Sequence, residues 1–282
     1  CDYHADANNK DPITEFQELM FSYGKEHHNF VNETLFANAV NLPFTSEADG
    51  FMQVLELMNE EAEGILDMPL ICKDLDISGR PDIIRKVLDK PSVFGSHSYE
   101  IIEIKSAKNI KTSHILQAAI YNRMIGEIQE FTPPIFYVIN ADLEEFAYYA
   151  EEWDEQLDET IQQLLNVING EKIAPTLRGA RWPWESYVNT LAIDANDASL
   201  IPGIKSKRRE QLVDAGYKTV NEIAKATTED LADIKGIGDS TAYKMIACAQ
   251  ALTSKSIISK QPVPEFTRAG TEVFIDLEGS NL

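Results

Sequence analysis

The spacing of apolar positions changes from helical to strand-like along the first part of the chain. Apolar residues recur at helical spacing over 14–39 and again over 47–64, which predicts two amphipathic helices. Shorter apolar runs over 64–68, 70–77 and 82–87 are typical of strands. We therefore expect a small antiparallel meander after the two helices.

The next strand, predicted over 99–106, alternates apolar residues with charged ones. Side chains on a strand point to alternate faces, so Ile102 and Ile104 should enter the core. Glu103 and Lys105 should then share the other face. Such a strand presents a carboxylate and an ammonium group side by side.

Helices and strands alternate through the following residues. The pattern predicts a helix over 113–125, strands over 135–139 and 146–150, and a helix over 155–169. This order of elements indicates an α/β fold with a mixed sheet and flanking helices. From 199 to 254 the spacing is helical throughout, which predicts a small all-α domain.

Composition agrees with a folded protein from a reducing compartment. The 282 residues are 44% hydrophobic, which is enough for a large domain and a small one. Three distant cysteines, Cys1, Cys72 and Cys248, argue against a disulfide framework and favour the cytoplasm. We find no apolar run of membrane-spanning length and no signal peptide, so we expect no membrane partner. Because the first residue is not Met, we interpret the chain as part of a longer protein.

Charge is unevenly distributed, and this bears on the partner. The net charge is −21, but residues 199–260 contain ten Lys and Arg against seven Asp and Glu. That segment therefore carries +3 and the remainder carries −24. The all-α segment is the part suited to phosphate groups, whereas the rest of the chain would need local basic patches.

A short constellation in the α/β part is typical of a divalent-metal site. Residues 79–82, Gly-Arg-Pro-Asp, are followed after twenty residues by 103–105, Glu-Ile-Lys. Two carboxylates about 4 Å apart repel by about 4 kcal/mol at an effective dielectric constant of about 20. If the strand of Asp82 pairs with that of Glu103, a cation between the carboxylates would offset this repulsion.

This arrangement resembles the PD-(D/E)XK nuclease superfamily, and two more motifs resemble its RecB-like branch. Members of that branch have a helical Gly-x-x-His or Gly-x-x-x-His motif, and Gly24 followed by His27 or His28 fits either spacing. They also carry Gln-x-x-x-Tyr on the helix after the catalytic strand. Gln117 and Tyr121 have that spacing, which places them on one helical face.

The resemblance implies that residues 1–190 are a nuclease domain that hydrolyses DNA with Mg²⁺ or Mn²⁺, hard cations that prefer oxygen ligands. It implies metal ligation by Asp82, Glu103, the backbone carbonyl of Ile104 and one histidine, with His27 favoured and His28 as the alternative. It also implies catalytic roles for Lys105, Gln117 and Tyr121 beside the two carboxylates, and phosphate contacts from Lys108 and Lys111.

One departure from the family changes the cofactors expected. Many RecB-like relatives hold an iron–sulfur cluster through one N-terminal cysteine and three cysteines after the nuclease core. Cys1 has the position of the first, but residues 177–186 contain no cysteine. Because such a cluster needs four thiolates, we predict that none is bound. Packing of Trp182 and Trp184 is expected to hold this region instead.

The all-α segment resembles a tandem helix-hairpin-helix domain, which we place at 191–258. Its stronger hairpin, 236–238, reads Gly-Ile-Gly, and the weaker one, 202–204, reads Pro-Gly-Ile. Glycines permit tight turns, and amides at the start of the next helix bind phosphate without reading bases. The residues expected to contact DNA are Gly203, Lys205, Lys207, Arg208, Arg209, Lys235, Gly236, Gly238 and Lys244. A helical bundle for protein contacts is the alternative.

Residues 259–282 are interpreted as a linker and the first strand of a further domain. The run Val-Phe-Ile-Asp-Leu-Glu-Gly at 273–279 resembles the opening strand of an RNase H-like DEDD exonuclease. There Asp276 and Glu278 would form part of an incomplete second metal site; an ordinary strand is the alternative. The resemblance implies a fused or associated exonuclease or helicase.

The sequence thus predicts a metal-dependent deoxyribonuclease with a sequence-independent DNA-binding module. Its partner would be single-stranded DNA or duplex ends, in DNA repair or end processing. Two alternatives stay open: a catalytically inactive DNA-binding scaffold in a larger helicase–nuclease assembly, and a protein-interaction module. RNA is a less supported substrate, because nothing in the sequence resembles an RNA-recognition module.

Overall fold

The computed structural model describes residues 1, 5–73, 76–258 and 270, and their contacts divide the chain into two units. The sheet unit is Ile13–Lys172. The hairpin unit comprises the described residues of Cys1–Pro12 and Ile173–Leu282. These bounds differ from the predicted division at residue 190. The predicted strand with Asp276 and Glu278 lies outside the described residues.

The sheet unit begins with two helices, as the apolar spacing predicts. Helix α1 spans Glu15–Leu35 and helix α2 spans Glu47–Asn59. Thr14 caps α1 in a reciprocal pair with Gln17, and Ser46 caps α2. Both helices therefore begin where a side-chain oxygen accepts a hydrogen bond from an otherwise unpaired amide.

In the described part of the chain, strands form a five-stranded mixed sheet and a separate two-stranded ladder. The strands are β1 Gly64–Leu66, β2 Leu70–Cys72, β3 Ile77–Gly79, β4 Ile83–Ser92, β5 Gly95–Ile104, β6 Ile135–Ile139 and β7 Glu145–Tyr149. The sheet order is β1-β4-β5-β6-β7, with β5 and β6 parallel and the other pairs antiparallel. The single meander that we predicted is wrong in part. Both edges of β4 are occupied, by β1 and β5, so β2 and β3 pair with each other.

Helices cover the central strands. Helix α3, Thr112–Gln129, connects the parallel strands β5 and β6, and α4, Asp154–Ile168, follows β7. The main core lies between the sheet and the helices α2 and α3. On the opposite face of the sheet, a smaller cluster contains Val31, Ile83, Ile102, Ile104 and Ile139. The predicted burial of both isoleucines of β5 is confirmed, and β5 is covered on both faces.

The hairpin unit is helical. Its helices are α5 Glu185–Asp194, α6 Ser206–Asp214, α7 Val220–Lys225, α8 Thr228–Ala232 and α9 Asp239–Ser254. Helices α6 to α9 share a core that includes Leu212, Ile223, Leu231 and Met245, to which Ile201 also contributes from the segment before α6. Helix α5 falls partly within residues 171–190, which have no regular pattern in the sequence. Within 5–73 and 76–258, no helix has both the length and the apolar character required to cross a membrane.

Hydrogen bonds attach the start of the chain to the segment before α5. The amide of Asp11 donates to the carbonyl of Pro183 at 2.7 Å, and the Asp11 carboxylate accepts from the amide of Ser186 at 3.1 Å. The indole of Trp182 donates to the carbonyl of Pro12 at 3.2 Å. The ammonium of Lys10 lies 5.3 Å from the centre of the Trp184 ring. These contacts agree with the expected role of the two tryptophans; the absence of an iron–sulfur cluster stays a prediction.

Candidate metal centre

Backbone amides at the paired ends of β4 and β5 hold the carboxylates of Asp82 and Glu103 in place. Strands β4 and β5 pair so that Ile83 faces Ile102, which places the two acidic residues side by side. The amide of Ile104 donates to the Asp82 carboxylate at 2.6 Å. The amide of Asp82 in turn donates to the Glu103 carboxylate at 3.2 Å. The predicted convergence of these two carboxylates is therefore present, although Asp82 precedes its strand rather than ending one.

Glu103 is fully buried, with Lys105 as its charged partner. Its side chain has 0% exposure, and the Lys105 ammonium lies 2.7 Å from it. Burial is the main cause that raises the pKa of Glu103, to about 8, and the nearby negative charge of Asp82 raises it further, against the opposing effect of Lys105. One lysine thus does not compensate the two carboxylates.

His28 is the histidine that reaches this cluster. Its Nε2 lies 3.4 Å from a carboxylate oxygen of Asp82 and 3.3 Å from one of Asp67. Neither approach has hydrogen-bond geometry, and Nε2 is a buried polar atom without a hydrogen-bond partner among the described residues. The Asp82 carboxylate is the main cause that raises the pKa of His28, which burial lowers. His28 and Lys105 also hold the pKa of Asp82 below its ordinary value, although burial alone would raise it.

The preference for His27 over His28 needs correction. Consecutive residues on an α-helix point about 100° apart, so only one of the two can face the strand ends. In the part of the chain that the structure describes, the cluster of possible metal ligands consists of His28, Asp67 and Asp82. His27 is not a member of it. The sequence motif fits both histidines, and only the rotation of α1 decides between them.

Asp67 was not identified from the sequence. It follows β1, and its amide donates to the carbonyl of Asp82 at 3.1 Å, which extends the pairing of β1 with β4. Burial is the main cause that raises the pKa of Asp67, and the charge of Asp82 adds to it. The only signal in the sequence was a polar residue directly after an apolar run. That Asp67 lies beside Asp82 became clear only from the pairing of β1 with β4.

The residues present fit a divalent cation. Among the described residues, three carboxylates meet here, beside the ammonium group of Lys105 and the imidazole of His28. Arg80 is paired with Glu47 of α2, and its charge also lowers the pKa of Asp67. A bound divalent cation would offset the repulsion of Asp82 with Asp67 and Glu103 and give the Nε2 of His28 a partner.

Asn32, one helical turn after His28, lies beside Nδ1, the ring nitrogen on the other side from the carboxylates. The Asn32 amide lies 3.3 Å from His28 Nδ1, and the Asn32 oxygen has no hydrogen-bond partner in the described chain. Oxygen and nitrogen of an amide are assigned by such networks. With the oxygen turned to the ring, Nδ1 donates to Asn32 and Nε2 is left as a ligand atom.

The predicted pair on α3 lies beside the same strand ends. The side chain of Gln117 interacts with the hydroxyl of Tyr121, as does the backbone of Arg80. A side chain at Gly79 would clash with the ring of Tyr121, which explains why the residue two positions before Pro81 is glycine. Burial raises the pKa of Tyr121, so the hydroxyl stays protonated and can donate.

The other predicted residues of the sheet unit are only partly placed. Lys108 and Lys111 are exposed, and Lys108 lies 3.4 Å from Asp142. The amide of Ile104 binds Asp82, whereas metal ligation by its carbonyl stays a prediction.

The two hairpins have the same turn. Gly203 and Gly236 both adopt left-handed backbone angles, with φ of 86° and 90°. In each, the next residue is a buried isoleucine whose amide donates to the carbonyl three positions earlier, at 3.2 Å for Ile204 and 3.0 Å for Ile237. Gly238 then caps α9. The predicted repeat is thus also a structural repeat.

Most of the predicted basic residues surround these turns. Lys205, Lys207, Lys235 and Lys244 are exposed, and Arg208 is half-buried. Arg209 is different. Its guanidinium donates to both oxygens of the Asp197 carboxylate, at 2.6 to 3.0 Å, so it forms an internal ion pair, and its contact with phosphate stays a prediction.

Comparison with known proteins supports the hairpin assignment. Residues 197–251 match the family described as a SAM-like helix-hairpin-helix tandem. The DNA repair and recombination protein RadA of Methanoculleus marisnigri is 35% identical over 97 residues, which are 32% of this chain and 29% of that protein. RadA of Methanocorpusculum labreanum is 43% identical over 58 residues, 21% of this chain and 18% of that protein. The chain therefore spans less than a third of the length of these curated relatives.

The crystal structure of a protein of unknown function, AF1548, is 19% identical, with a TM-score of 0.21 over 74% of this chain and 99% of that one. A likeness at this level carries no argument about fold or function.

Proposed function

We propose that the sheet unit is a Mg²⁺- or Mn²⁺-dependent deoxyribonuclease domain of the RecB-like PD-(D/E)XK type. The observation that carries the proposal is the meeting of Asp82, Glu103, Lys105 and His28 at one end of β4 and β5, where two carboxylates, an ammonium group and an imidazole converge. A bound cation would lower the pKa of water and offset the charge that develops on the phosphate during hydrolysis.

The protein's own groups would have distinct tasks. Asp82 and Glu103 would hold the cation, and hydrogen bonds from the backbone amides of Ile104 and Asp82, respectively, keep their oxygens in place. The ammonium of Lys105, 2.7 Å from Glu103, is positioned to donate to an attacking water or to a phosphate oxygen. Gln117 and Tyr121 would orient the DNA backbone next to the bound cation.

The hairpin unit would bind DNA through its backbone phosphates. The two left-handed glycine turns, the start of α9 and the surrounding lysines support this, as does the similarity of 197–251 to a helix-hairpin-helix tandem. The relatives named as DNA repair and recombination proteins favour a role in DNA repair. Such binding would be independent of sequence and weaken with salt. We also propose that the chain works with a fused or associated helicase or exonuclease.

A DNA-binding scaffold without catalysis is the second candidate. The residues that match the helix-hairpin-helix family, 197–251, lie in the hairpin unit, which favours DNA binding independently of the sheet unit. A cleavage assay with single-stranded and duplex DNA in Mn²⁺ or Mg²⁺ separates the two candidates.

For a nuclease, Lys105→Ala should reduce cleavage by at least about 10²-fold. Lys90→Ala, at an exposed position in β4 far along the strand, should cleave normally. Circular dichroism of both variants checks that they are folded. DNA binding without any cleavage by the unaltered protein would support the scaffold. Affinity for DNA that does not change between low and high salt would argue instead for a protein-interaction module.

A further inference from the structure

The turn after β1 brings one more carboxylate to the candidate metal centre. Asp67 lies outside every motif that suggested the site, yet its carboxylate oxygen is 3.3 Å from His28 Nε2. One ligand atom from each of His28, Asp67 and Asp82 lies within 4.8 Å of the other two. These residues come from α1, the end of β1 and the start of β4, so three separate elements converge.

The backbone of Asp67 is arranged to present this side chain. Its φ is 52°, a left-handed conformation that most side chains disfavour and that Asp and Asn tolerate best. Its amide is held by the carbonyl of Asp82 at 3.1 Å. The position of the carboxylate is therefore fixed by the same strand pairing that fixes Asp82.

The spacing of the atoms suits a cation of the size of Mg²⁺ or Mn²⁺. Two ligand atoms in adjacent octahedral positions, each about 2.1 Å from the metal, are separated by about 3.0 Å. The separations from His28 Nε2 to the two carboxylates, 3.3 and 3.4 Å, exceed this by only a few tenths of an ångström. An imidazole nitrogen with carboxylate oxygens is also a ligand set that such cations accept.

We propose that Asp67 is a metal ligand, which together with His28 and Asp82 holds one divalent cation at the turn after β1. This inference rests on the proposed metal-dependent function. It gives the site an oxygen ligand that the Asp, Glu-x-Lys motif does not supply. Glu103, fully buried and bonded to Lys105 and the amide of Asp82, then lies on the inner side of the centre, whereas the half-buried Asp67 closes its outer side.

A purely structural ion pair between Asp67 and His28 is the competing explanation, and it makes different predictions. If the pair only stabilises the fold, Asp67→Asn lowers the unfolding temperature of the metal-free protein. If Asp67 is a ligand, the metal-free variant is as stable as the unaltered protein or more so, because the substitution removes repulsion between two carboxylates. Asn also keeps the left-handed backbone favourable.

The experiment is a calorimetric titration of the whole chain with Mn²⁺ alone, combined with thermal unfolding with and without the metal. We expect Asp67→Asn to weaken Mn²⁺ binding by at least about tenfold and to reduce the metal-induced rise in unfolding temperature. Asp89→Asn is the matched control: Asp89 is also left-handed, with φ of 59°, but exposed in β4, and its change should leave Mn²⁺ affinity unaltered.

Equal Mn²⁺ affinity of Asp67→Asn and the unaltered protein would overturn the inference, as would a lack of Mn²⁺ binding by the unaltered protein. The DNA cleavage assay is scored separately. If DNA cleavage depends on Lys105 but Asp67→Asn binds Mn²⁺ normally, the proposed nuclease function is retained and Asp67 is not a ligand. Weakened Mn²⁺ affinity in a protein that does not cleave DNA would leave the ligand standing without the nuclease.

Discussion

Asp197 in the hairpin unit and Glu103 in the sheet unit are both nearly inaccessible carboxylates, with 5% and 0% exposure. Asp197 receives two-pronged hydrogen bonds from Arg209 and another from the amide of Ser199 at 2.8 Å. Burial raises its pKa, but these donors outweigh that effect, so the pKa of Asp197 is below its ordinary value. The pKa of Glu103 is raised to about 8 instead.

The difference lies in how far the surroundings compensate each charge. Asp197 has the guanidinium of Arg209 as its own partner, so its burial can be explained by the stability of the fold alone. The carboxylates near β4 and β5 share one ammonium and one imidazole as their nearest partners among the described residues, so folding alone leaves carboxylates that repel one another. Uncompensated buried charge is typical of a site whose missing partner is a ligand.

Replacement of Glu103 should have the largest effect and should separate function from stability. Glu103→Gln replaces a carboxyl group whose ionised form burial disfavours, so the metal-free protein should stay within about 1 kcal/mol of the unaltered one or become more stable. Metal-dependent DNA cleavage should fall by about 10³-fold, equivalent to about 4 kcal/mol. Cleavage rates and denaturant unfolding measure the two quantities.

Glu127→Gln, an exposed change on α3, serves as the control for that experiment and should alter neither quantity. Undiminished cleavage by Glu103→Gln would show that the buried carboxylate takes no part in hydrolysis.

Part of this contrast was predictable from the sequence. The period of two along β5 placed Glu103 and Lys105 on one face, and the apolar runs predicted that β4 and β5 are strands. The place of Asp67 in the site was not predictable, because it depends on the pairing of β1 with β4, and β2 and β3 lie between these two strands in the chain. The identity of the histidine depended on the rotation of α1 about its axis. Periodicity is a local property, whereas these contacts join residues far apart in the chain.

Removal of the compensating charge in the hairpin unit should have the next largest effect, this time on stability. Arg209→Ala leaves the Asp197 carboxylate buried without its cation, which should cost about 3 kcal/mol in the free energy of unfolding. Arg208→Ala on the same helix should cost less than about 1 kcal/mol, because Arg208 makes one hydrogen bond to a carbonyl, at 3.2 Å to Gly203. Denaturant unfolding followed by circular dichroism compares the two variants, and equal losses would contradict the structural role of Arg209.

Acid should produce the smallest effect and sharpen the comparison further. Because the pKa of Asp197 is lowered by folding, its ion pair stabilises the hairpin unit above the unfolded-state pKa of about 4 and loses this contribution as the pH falls through the folded-state pKa. The contribution of Asp197 to the free energy of unfolding should therefore stay constant from pH 7 to 5 and decrease once the pH falls below about 4. In Arg209→Ala this drop should be smaller. An equally steep acid transition in both proteins would assign it to other carboxylates.

The contacts of Asp11, Pro12 and Lys10 with 182–186 make the hairpin unit discontinuous, so that the sheet unit is an insertion within it. Two peptide connections then join the units, one after Pro12 and one after Lys172. Limited proteolysis at a single connection would leave the pieces covalently linked, and two cuts are needed to release the inserted unit. A recombinant fragment that starts at Ile173 would likewise lack the N-terminal residues that Trp182, Pro183 and Ser186 bind in the whole chain.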